Sequence, residues 1–364
     1  MIKSSDFISC SELFYSVAQT VYEKNPYWIS ENKKTIDLLL TDSAFFEQGS
    51  MQIFIVPQCA RLIGFSHPSF IDQGLPYIVF GFWESINDEK INRQLFSEIL
   101  QWARDQGISN IKGPINFATS FQYRLKLDHF DQPPFYQEPY NPSYYPQLLE
   151  QLNFQLTDQY YSWLGPMTDQ AARFRSFADP LKKSFKEKGI QFNPLKNYPW
   201  ENHLNECYQI LEKVFSKNIA YTSISPAIKK NLFGIDFFKR LCPHTTVIAT
   251  DGKDQLVGFF LTVPDYNPLL MSSSPKQAAE PSFELYFPQL IKPTLIAKTG
   301  GVIPDYRNSH LFSVMSQLIA EWGEEYYLNA RAVMVHENNP SAKVARLAFA
   351  EINQHRYGMY AFNH

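Results

Sequence analysis

The clearest pattern of hydrophobic positions lies near the end of the chain. Residues 294–303 form an apolar run that a polar turn follows, and apolar residues then recur at helical spacing from Leu311 to Trp322. A second apolar run covers residues 330–335 and stops at a polar segment, where Pro340 opens another helical pattern. This part of the sequence therefore predicts strand, turn, helix, strand and helix, in that order.

Both helices predicted here begin just after a strand ends. The first turn of a helix has unpaired backbone N–H groups and carries the positive end of the helix dipole. Two such helix starts side by side suit an anionic ligand such as a pyrophosphate. The segment is therefore the first candidate for a binding site.

The same succession of patterns occurs in each half of the chain. In the first half, helices are predicted over 5–24, 34–40, 87–105 and 147–152, and strands over 51–56, 60–68, 77–82 and 159–164. In the second half, helices are predicted over 173–188, 202–215 and 226–241, and strands over 245–250 and 255–263. Residues 124–146 form a loop rich in Pro and Tyr, and 272–290 an insertion without a pattern. We place the boundary at Gly165 and Pro166, which gives domains 1–164 and 165–364.

Composition narrows the classes of function. Of the 364 residues, 45% are hydrophobic and 19% charged, which is typical of a globular protein of two domains. A net charge of −3 makes nucleic acid an unexpected partner, and no apolar run approaches the roughly 20 residues that span a bilayer. The first residues lack the apolar core of a signal peptide. The scattered cysteines predict free thiols and a cytoplasmic location, and the spacing of Cys and His predicts no metal site.

Each half contains several short motifs. The first half contains Gly113-Pro114-Ile115-Asn116-Phe117, Tyr140-Asn141-Pro142 and Leu152-Asn153-Phe154, and the second contains Val257-Gly258-Phe259, Pro264-Asp265-Tyr266-Asn267, Gly301-Val302-Ile303-Pro304-Asp305-Tyr306-Arg307 and Asn338-Asn339-Pro340-Ser341. With these motifs in this order, nearly the whole chain resembles the GNAT superfamily of acyl-CoA-dependent N-acyltransferases, and more closely a two-domain group within it. The resemblance implies an α/β (α+β) fold of two GNAT-like domains, each with a mixed, mainly antiparallel sheet flanked by helices.

The resemblance also implies where acetyl-CoA or another acyl-CoA binds. In GNAT enzymes the strand before the long helix offers backbone amides to the pantetheine, and the loop after it wraps the pyrophosphate. Here His310 and Phe312 fill the two small-residue positions of that loop, where glycine lets the backbone approach phosphates closely. Either the loop still admits CoA, or these two side chains close the site. The donor-binding residues implied by the resemblance are Val302, Ile303, Arg307, Asn308, Ser309, His310, Asn339 and Ser341.

The corresponding region of the first half does not look like a CoA site. Residues 83–90 contain no glycine and carry three acidic side chains, which repel a pyrophosphate. We therefore expect the first domain to be a degenerate copy and the second domain to hold the donor.

The residues that act on the acceptor follow less directly from the sequence. His336 and Glu337 stand at the end of the strand predicted over 330–335, and either is a candidate general base for an amine. The alternative is that Glu337 serves the start of the next helix and His336 packs. In GNAT enzymes a tyrosine on that helix is often the general acid, and Arg346 stands in its place.

Two further pairs are candidates for contacting the substrate. Asp265 and Tyr266 follow a predicted strand, and they either hold the amine or form a turn with a packed tyrosine. Tyr144 and Tyr145 either line a cleft between the domains or pack at their interface.

The first functional hypothesis is an acyltransferase that moves an acyl group from acyl-CoA to the amine of a small molecule. In a variant of this hypothesis, the donor is a pantetheine thioester on an acyl carrier protein. The second hypothesis is a GNAT-fold protein without this activity, which binds a small molecule or a protein or performs different chemistry in the same cleft.

Overall fold

The computed structural model describes residues 1–41, 43–200, 204–216, 218–222, 225–273, 280–349 and 354–362. The first half contains β1 (Ile2–Ser4), α1 (Ser11–Val21), α2 (Lys33–Leu40), α3 (Ser43–Phe46), β2 (Ser50–Val56), β3 (Ala60–Ser66), β4 (Ile71–Asp72), β5 (Leu75–Ser85), α4 (Glu89–Asp105), β6 (Asn110–Gly113), β7 (Leu125–Lys126), α5 (Tyr145–Gln151) and β8 (Gln155–Pro166).

The second half continues without a break in the sheet. It contains α6 (Met167–Glu187), β9 (Gln191–Pro194), α7 (Leu204–Phe215), α8 (Pro226–Phe233), α9 (Ile235–Arg240), β10 (Val247–Thr250), β11 (Leu256–Pro264), α10 (Asn267–Ser272), α11 (Phe283–Tyr286), β12 (Thr294–Val302), α12 (Leu311–Gly323), β13 (Asn329–His336), α13 (Ser341–Ala348) and β14 (Gln354–Phe362).

Hydrophobic spacing predicted the long helices well because each has one apolar face. In α4, Leu95, Phe96 and Ile99 are buried, and the helix packs on β2 and β3. In α12, Leu311 and Val314 are buried, and this helix packs on α6 and β11. As the sequence predicts, α4 begins shortly after β5 ends, and α12 begins shortly after β12 ends.

The single helix predicted over 226–241 is wrong. Gly234 adopts an extended conformation with φ −78° and ψ −164°, and it separates α8 from α9. A Cβ at this position would lie 2.1 Å from the carbonyl oxygen of Lys230, so the break requires glycine. Two segments without a predicted pattern also contain short elements: β7 lies in the Pro- and Tyr-rich loop, and α11 in the insertion, of which residues 274–279 lie outside the described part.

All principal strands belong to one sheet, in the order β1-β2-β3-β5-β6-β14-β8-β13-β12-β11-β10-β9. The pairs β5–β6 and β12–β13 are parallel, and the other pairs are antiparallel. This confirms the mixed, mainly antiparallel sheet flanked by helices. The sequence did not predict how the halves join: β14, the last strand of the chain, lies between β6 and β8 of the first half.

The exchange of strands links the two halves through backbone hydrogen bonds. β8, the last strand of the first half, pairs on its other side with β13, so that Gly165 lies opposite Ala330 and Pro166 opposite Asn329. A hydrophobic core cluster also contains residues of both halves, from Phe14 on α1 to Tyr357 on β14. The domain boundary at Gly165 and Pro166 stays a prediction. Within the described residues, the helices are too short or too polar to cross a membrane.

Candidate functional site

A cleft of about 1890 Å³ lies between the two halves of the chain. The first half lines it with the loop after β6 and with the Pro- and Tyr-rich segment, and the second half with β12, β13 and the start of α12. Sites for a single small molecule usually measure roughly 300–1,000 Å³. The cleft therefore has room for two substrates side by side.

The sheet opens into this cleft where β12 and β13 diverge. The two strands pair in parallel up to Ala297 and Ala332, and beyond these residues β12 pairs only with β11 and β13 only with β8. The register of β13 shifts between Ala332 and Val335, where Met334 has a φ of +52°. The irregular backbone of β13 therefore accompanies an opening whose apex lies just after Ala297.

Backbone groups of β12 face this opening. The N–H of Ile303 donates to the carbonyl of Val257 on β11 at 3.0 Å. Because successive residues of a strand direct their N–H and C=O groups to opposite sides, Val302 and Gly300 direct theirs away from β11. Val302 thus lies where the sequence places a donor contact, whereas the N–H of Ile303 is already engaged.

The loop before α12 keeps a conformation that normally needs glycine. Asn308 has a φ of +62° and His310 a φ of +67°, both in the left-handed region. The His310 side chain makes no capping hydrogen bond to the helix, and the Ser309 hydroxyl donates to the carbonyl of Tyr306 at 2.6 Å. Arg307 is exposed, and within the described part of the chain its side chain has no hydrogen-bonding or ionic partner. The exposed Arg307 side chain therefore lies close to the start of α12, and the N-cap residue His310 makes no capping hydrogen bond there.

Phe312 occupies the other loop position at which GNAT enzymes have a small residue. Its ring stacks on Phe260 of β11, with centroids 4.7 Å apart and planes 30° apart. A Cβ on Gly300 would lie 2.5 Å from Cε2 of Phe312, so the phenyl ring covers the face of β12 at this glycine. The ring therefore lies against this face of β12, on the side of α12.

The equivalent opening in the first half is closed. There the N–H of Ile115 donates to the carbonyl of Phe80 at 2.8 Å, and the Asn116 side chain accepts from the N–H of Phe82 at 2.7 Å. The start of α4 is also occupied, because the Asp88 carboxylate accepts from two N–H groups of the first turn at 2.9 and 3.0 Å. Groups of the chain itself thus occupy both the strand end and the helix start of the first half.

His336 lies in the cleft, but both of its ring nitrogens have partners. Nδ1 accepts from the N–H of Asn338 at 3.1 Å, so Nε2 carries the hydrogen and donates to Asp158 at 3.2 Å. The ring also packs edge-on against Tyr160. Glu337 lies next to it, half-buried, and its side chain is not part of the cleft wall. A general base at His336 would first have to exchange these partners.

Asn339 and Ser341 line the cleft at the start of α13. The Asn339 side-chain oxygen accepts from the N–H of Ser341 at 2.9 Å and from its hydroxyl at 2.7 Å. The Asn339 side chain thus accepts from the first N–H of α13, whereas the Ser341 hydroxyl only donates to Asn339. Both side chains are available to a ligand only through their remaining hydrogen-bonding capacity.

Asp265 binds a residue of the first half, and the Tyr266 hydroxyl is bound within the second half. The Asp265 carboxylate accepts from the N–H of Tyr136 at 2.8 Å, and the Tyr266 hydroxyl donates to the carbonyl of Arg240 at 2.8 Å. Burial raises the pKa of Asp265 to about 6. Neither residue forms part of the cleft wall, so this geometry favours the turn with a packed tyrosine over a direct substrate contact.

Tyr144 and Tyr145 pack against β5 of the first half. The Tyr145 hydroxyl donates to Glu84 at 2.7 Å, and its ring stacks on Trp83 at 4.2 Å. The Tyr144 hydroxyl donates to the carbonyl of Ser85 at 2.8 Å. Burial raises the pKa of Glu84 to about 7. Tyr145 contributes to the cleft wall and Tyr144 does not.

The sequence did not single out the cations at the centre of the cleft. Lys298 follows Ala297, the last residue of β12 that pairs with β13. Its ammonium group donates to the side chain of Gln137 from the first half. Its side chain is only half-buried, but desolvation and the guanidinium groups of Arg124 and Arg240 lower the pKa of Lys298 to about 7. A lysine inside an apolar run was the available signal for this site.

No protein-family model matches the chain. Protein YghO of Escherichia coli (strain K12) is 29% identical over 192 residues, which are 52% of this chain and 47% of that protein. The match thus spans about half the length of this relative.

Two solved structures share the fold. A GCN5-related glucosamine N-acetyltransferase region in a fungal multi-domain β-N-acetylglucosaminidase is 10% identical, with a TM-score of 0.51 over 99% of this chain and 38% of that chain. A tandem GNAT protein from the clavulanic acid biosynthesis pathway is 8% identical, with a TM-score of 0.50 over 99% of this chain and 96% of that chain. The chain therefore has a two-domain GNAT-like fold, as its motifs predict.

Proposed function

We propose that this protein is an N-acyltransferase that moves an acyl group from an acyl-CoA to the amine of a small molecule. The donor binds in the opening between β12 and β13, with its phosphates at the start of α12. The acceptor enters the same cleft from the side of the first half. The first half binds no donor, because the chain itself fills its equivalent opening.

The difference between the two openings supports this proposal most directly. In the second half, backbone groups of Gly300 and Val302 face the cleft beyond the last pairing of β12 with β13. In the first half, Ile115 and Asn116 occupy the corresponding groups of β5. Unpaired backbone at an open strand edge is well suited to bind the amides of a pantetheine chain.

Acyl transfer at this site needs a proton acceptor and a polarised carbonyl. The amine nitrogen attacks the thioester carbon, the carbon–sulfur bond breaks with its electron pair on sulfur, and an amide forms. An N–H group of β12 at the opening polarises the carbonyl as negative charge develops on its oxygen. In this proposal Lys298 takes the proton of the amine, because it lies at the apex of the opening and is partly neutral near pH 7.

Thermal melting with acetyl-CoA, longer acyl-CoAs and free CoA tests the donor. A ligand at 100 times its Kd adds about 2.7 kcal/mol of stability. With an unfolding entropy of about 2.1 cal/mol/K per residue over 364 residues, the melting temperature should rise by about 3–4 °C. The absence of a shift with any of these thioesters and with free CoA would refute the proposal. Release of free thiol in the presence of amines then measures transfer itself.

The alternative, a GNAT-fold protein that binds a ligand without transferring an acyl group, has one observation in its favour. The ring of Phe312 covers Gly300, and Phe312 stands at a position of the pyrophosphate loop where GNAT enzymes have a small residue. If wild-type protein binds no thioester and Phe312→Ala does, the fold keeps a donor site that this ring blocks, and the alternative holds.

A further inference from the structure

Arg124 is the most unusual polar residue of the cleft. Its side chain lines the cleft, yet the residue is only 8% exposed. The rings of Tyr123 and Tyr160 lie against the guanidinium, with their centroids 3.7 and 4.2 Å from Cζ. Its Nε and Nη1 atoms are buried and have no hydrogen-bond partner. Buried guanidinium nitrogens normally have acceptors, so a cation without them in a cleft indicates a missing anion.

The backbone of Arg124 has an unfavourable conformation. Its φ is +80°, in the left-handed region that residues with a Cβ rarely adopt, and its N–H donates to the carbonyl of Pro114 at 2.9 Å. Strained residues of this kind persist where the surrounding structure fixes them, commonly at ligand sites. Position and conformation therefore both point to a binding role.

The described part of the chain offers Arg124 no carboxylate within ion-pair distance. The nearby acids are engaged elsewhere: Asp158 pairs with His336, and Glu138 with Lys126 and His355. Lys298 and Arg240 add positive charge to the same region, and the Glu280 carboxylate lies 3.8 Å from Arg240. The guanidinium of Arg124 thus has no counter-charge among the described residues, and Lys298, when it is protonated, adds a second positive charge near it.

We infer that Arg124 binds a carboxylate of the substrate, and that the acceptor is an amine that carries a carboxylate, such as an amino acid. The inference rests on the proposed function for the identity of the acceptor. Two aromatic rings cover the guanidinium, so a ligand reaches its N–H groups along the edge, in the plane that a planar carboxylate matches. The acyl group could supply the same carboxylate if the donor is a dicarboxylic acyl-CoA, and the experiment separates these two sources.

Calorimetric titration with matched ligands tests the inference without any need for turnover. One arm compares L-phenylalanine with 2-phenylethylamine and L-lysine with cadaverine, since each pair differs only in the carboxylate. The other arm compares succinyl-CoA with acetyl-CoA. Arg124→Gln removes the charge, and Arg124→Lys keeps the charge but loses the fork.

Arg331 provides the matched control. It is also buried, its Nε and Nη1 also lack partners, and its guanidinium also lies over a ring, that of Phe135 at 4.8 Å. It is not part of the cleft wall. Arg331→Gln should therefore leave ligand binding unchanged, whereas a general effect of losing a buried arginine would appear in both variants.

We expect the wild-type protein to bind the amino acid of at least one pair at least tenfold more tightly than the matching amine. Both Arg124 variants should lose this preference. A preference confined to the acyl-CoA arm places the carboxylate on the donor, and it overturns the assignment to the acceptor. Equal binding within every pair, or an equal loss in Arg331→Gln, overturns the inference altogether. If Arg124→Gln does not fold, Arg124→Lys and the wild-type pairs still decide. Binding of amino acids without binding of any acyl-CoA would refute the proposed function but not the carboxylate site.

Discussion

The ammonium group of Lys298 should lose its proton near neutral pH. Desolvation at the apex of the opening, together with Arg124 and Arg240, lowers its pKa to about 7. The neutral fraction is then roughly one eleventh at pH 6 and ten elevenths at pH 8, a change of about tenfold. A lysine with the ordinary pKa of about 10.4 is less than about 1% neutral at pH 8.

Competitive labelling with a trace of acetic anhydride measures this directly, because only neutral amines react. The label on the peptide that contains Lys298, quantified by mass spectrometry between pH 5 and 11, should be half-maximal near pH 7. Arg124→Met removes a positive neighbour and should move this midpoint upward, and Arg331→Met should not. A midpoint above about pH 9 in the wild type would refute the reasoning, since it would mean that solvent screens the cleft cations.

Three further predictions follow from the packing. Glu138→Gln leaves Lys126 buried without its counter-charge and should lower the free energy of unfolding in urea by about 3–5 kcal/mol. Burial alone would raise the pKa of Glu138, but its hydrogen bonds and Lys126 outweigh burial and lower the pKa. The stability lost in Glu138→Gln should therefore shrink as the pH falls below 4.5, because the wild-type carboxylate then becomes protonated as well. A loss of stability that does not change with pH would contradict this. Gly81→Ala places a Cβ 2.0 Å from the backbone oxygen of Ile115 and should lower the free energy of unfolding by about 3 kcal/mol or more. In the control Gly165→Ala, the nearest atom lies 3.5 Å from the new Cβ, and the loss should be less than about 1 kcal/mol. Equal melting temperatures of the two variants would refute the close packing of β5 on the loop after β6. Phe312→Ala should widen the donor groove and lower the Kd for acyl-CoA in calorimetry, and a raised Kd would show instead that the ring contacts the donor.

Hydrophobic spacing predicts the elements of this fold but not their partners in the sheet. The sequences of β8 and β14 each suit the last strand of their own half. Only the three-dimensional contacts show that β14 lies between β6 and β8. Long-range pairing of this kind leaves no local signal, because any buried strand offers the same alternation of side chains.

The sequence likewise predicts only some residues of the candidate site. The candidate donor residues around Val302 and Arg307 were implied by the resemblance, and they lie at a strand end and a helix start, which are local features that hydrophobic spacing predicts. The sequence left open whether His310 closes the loop or the loop still admits CoA, and the left-handed backbone of this residue could not be predicted from the sequence. Arg124 begins the Pro- and Tyr-rich segment, whose lack of periodicity does not show that the ring of the distant Tyr160 joins that of the adjacent Tyr123 against its guanidinium.

The central claim is that one donor site exists per chain and that it lies at the start of α12. Isothermal titration with acetyl-CoA measures both the number of sites and their place. We expect one site per chain, and Arg307→Ala should raise its Kd at least tenfold, as the loss of a charge-assisted contact with phosphate predicts. Arg346→Ala removes another exposed arginine of the second half, outside the cleft wall, and should leave the Kd unchanged. Two sites per chain, or an equal response to both substitutions, would contradict the account.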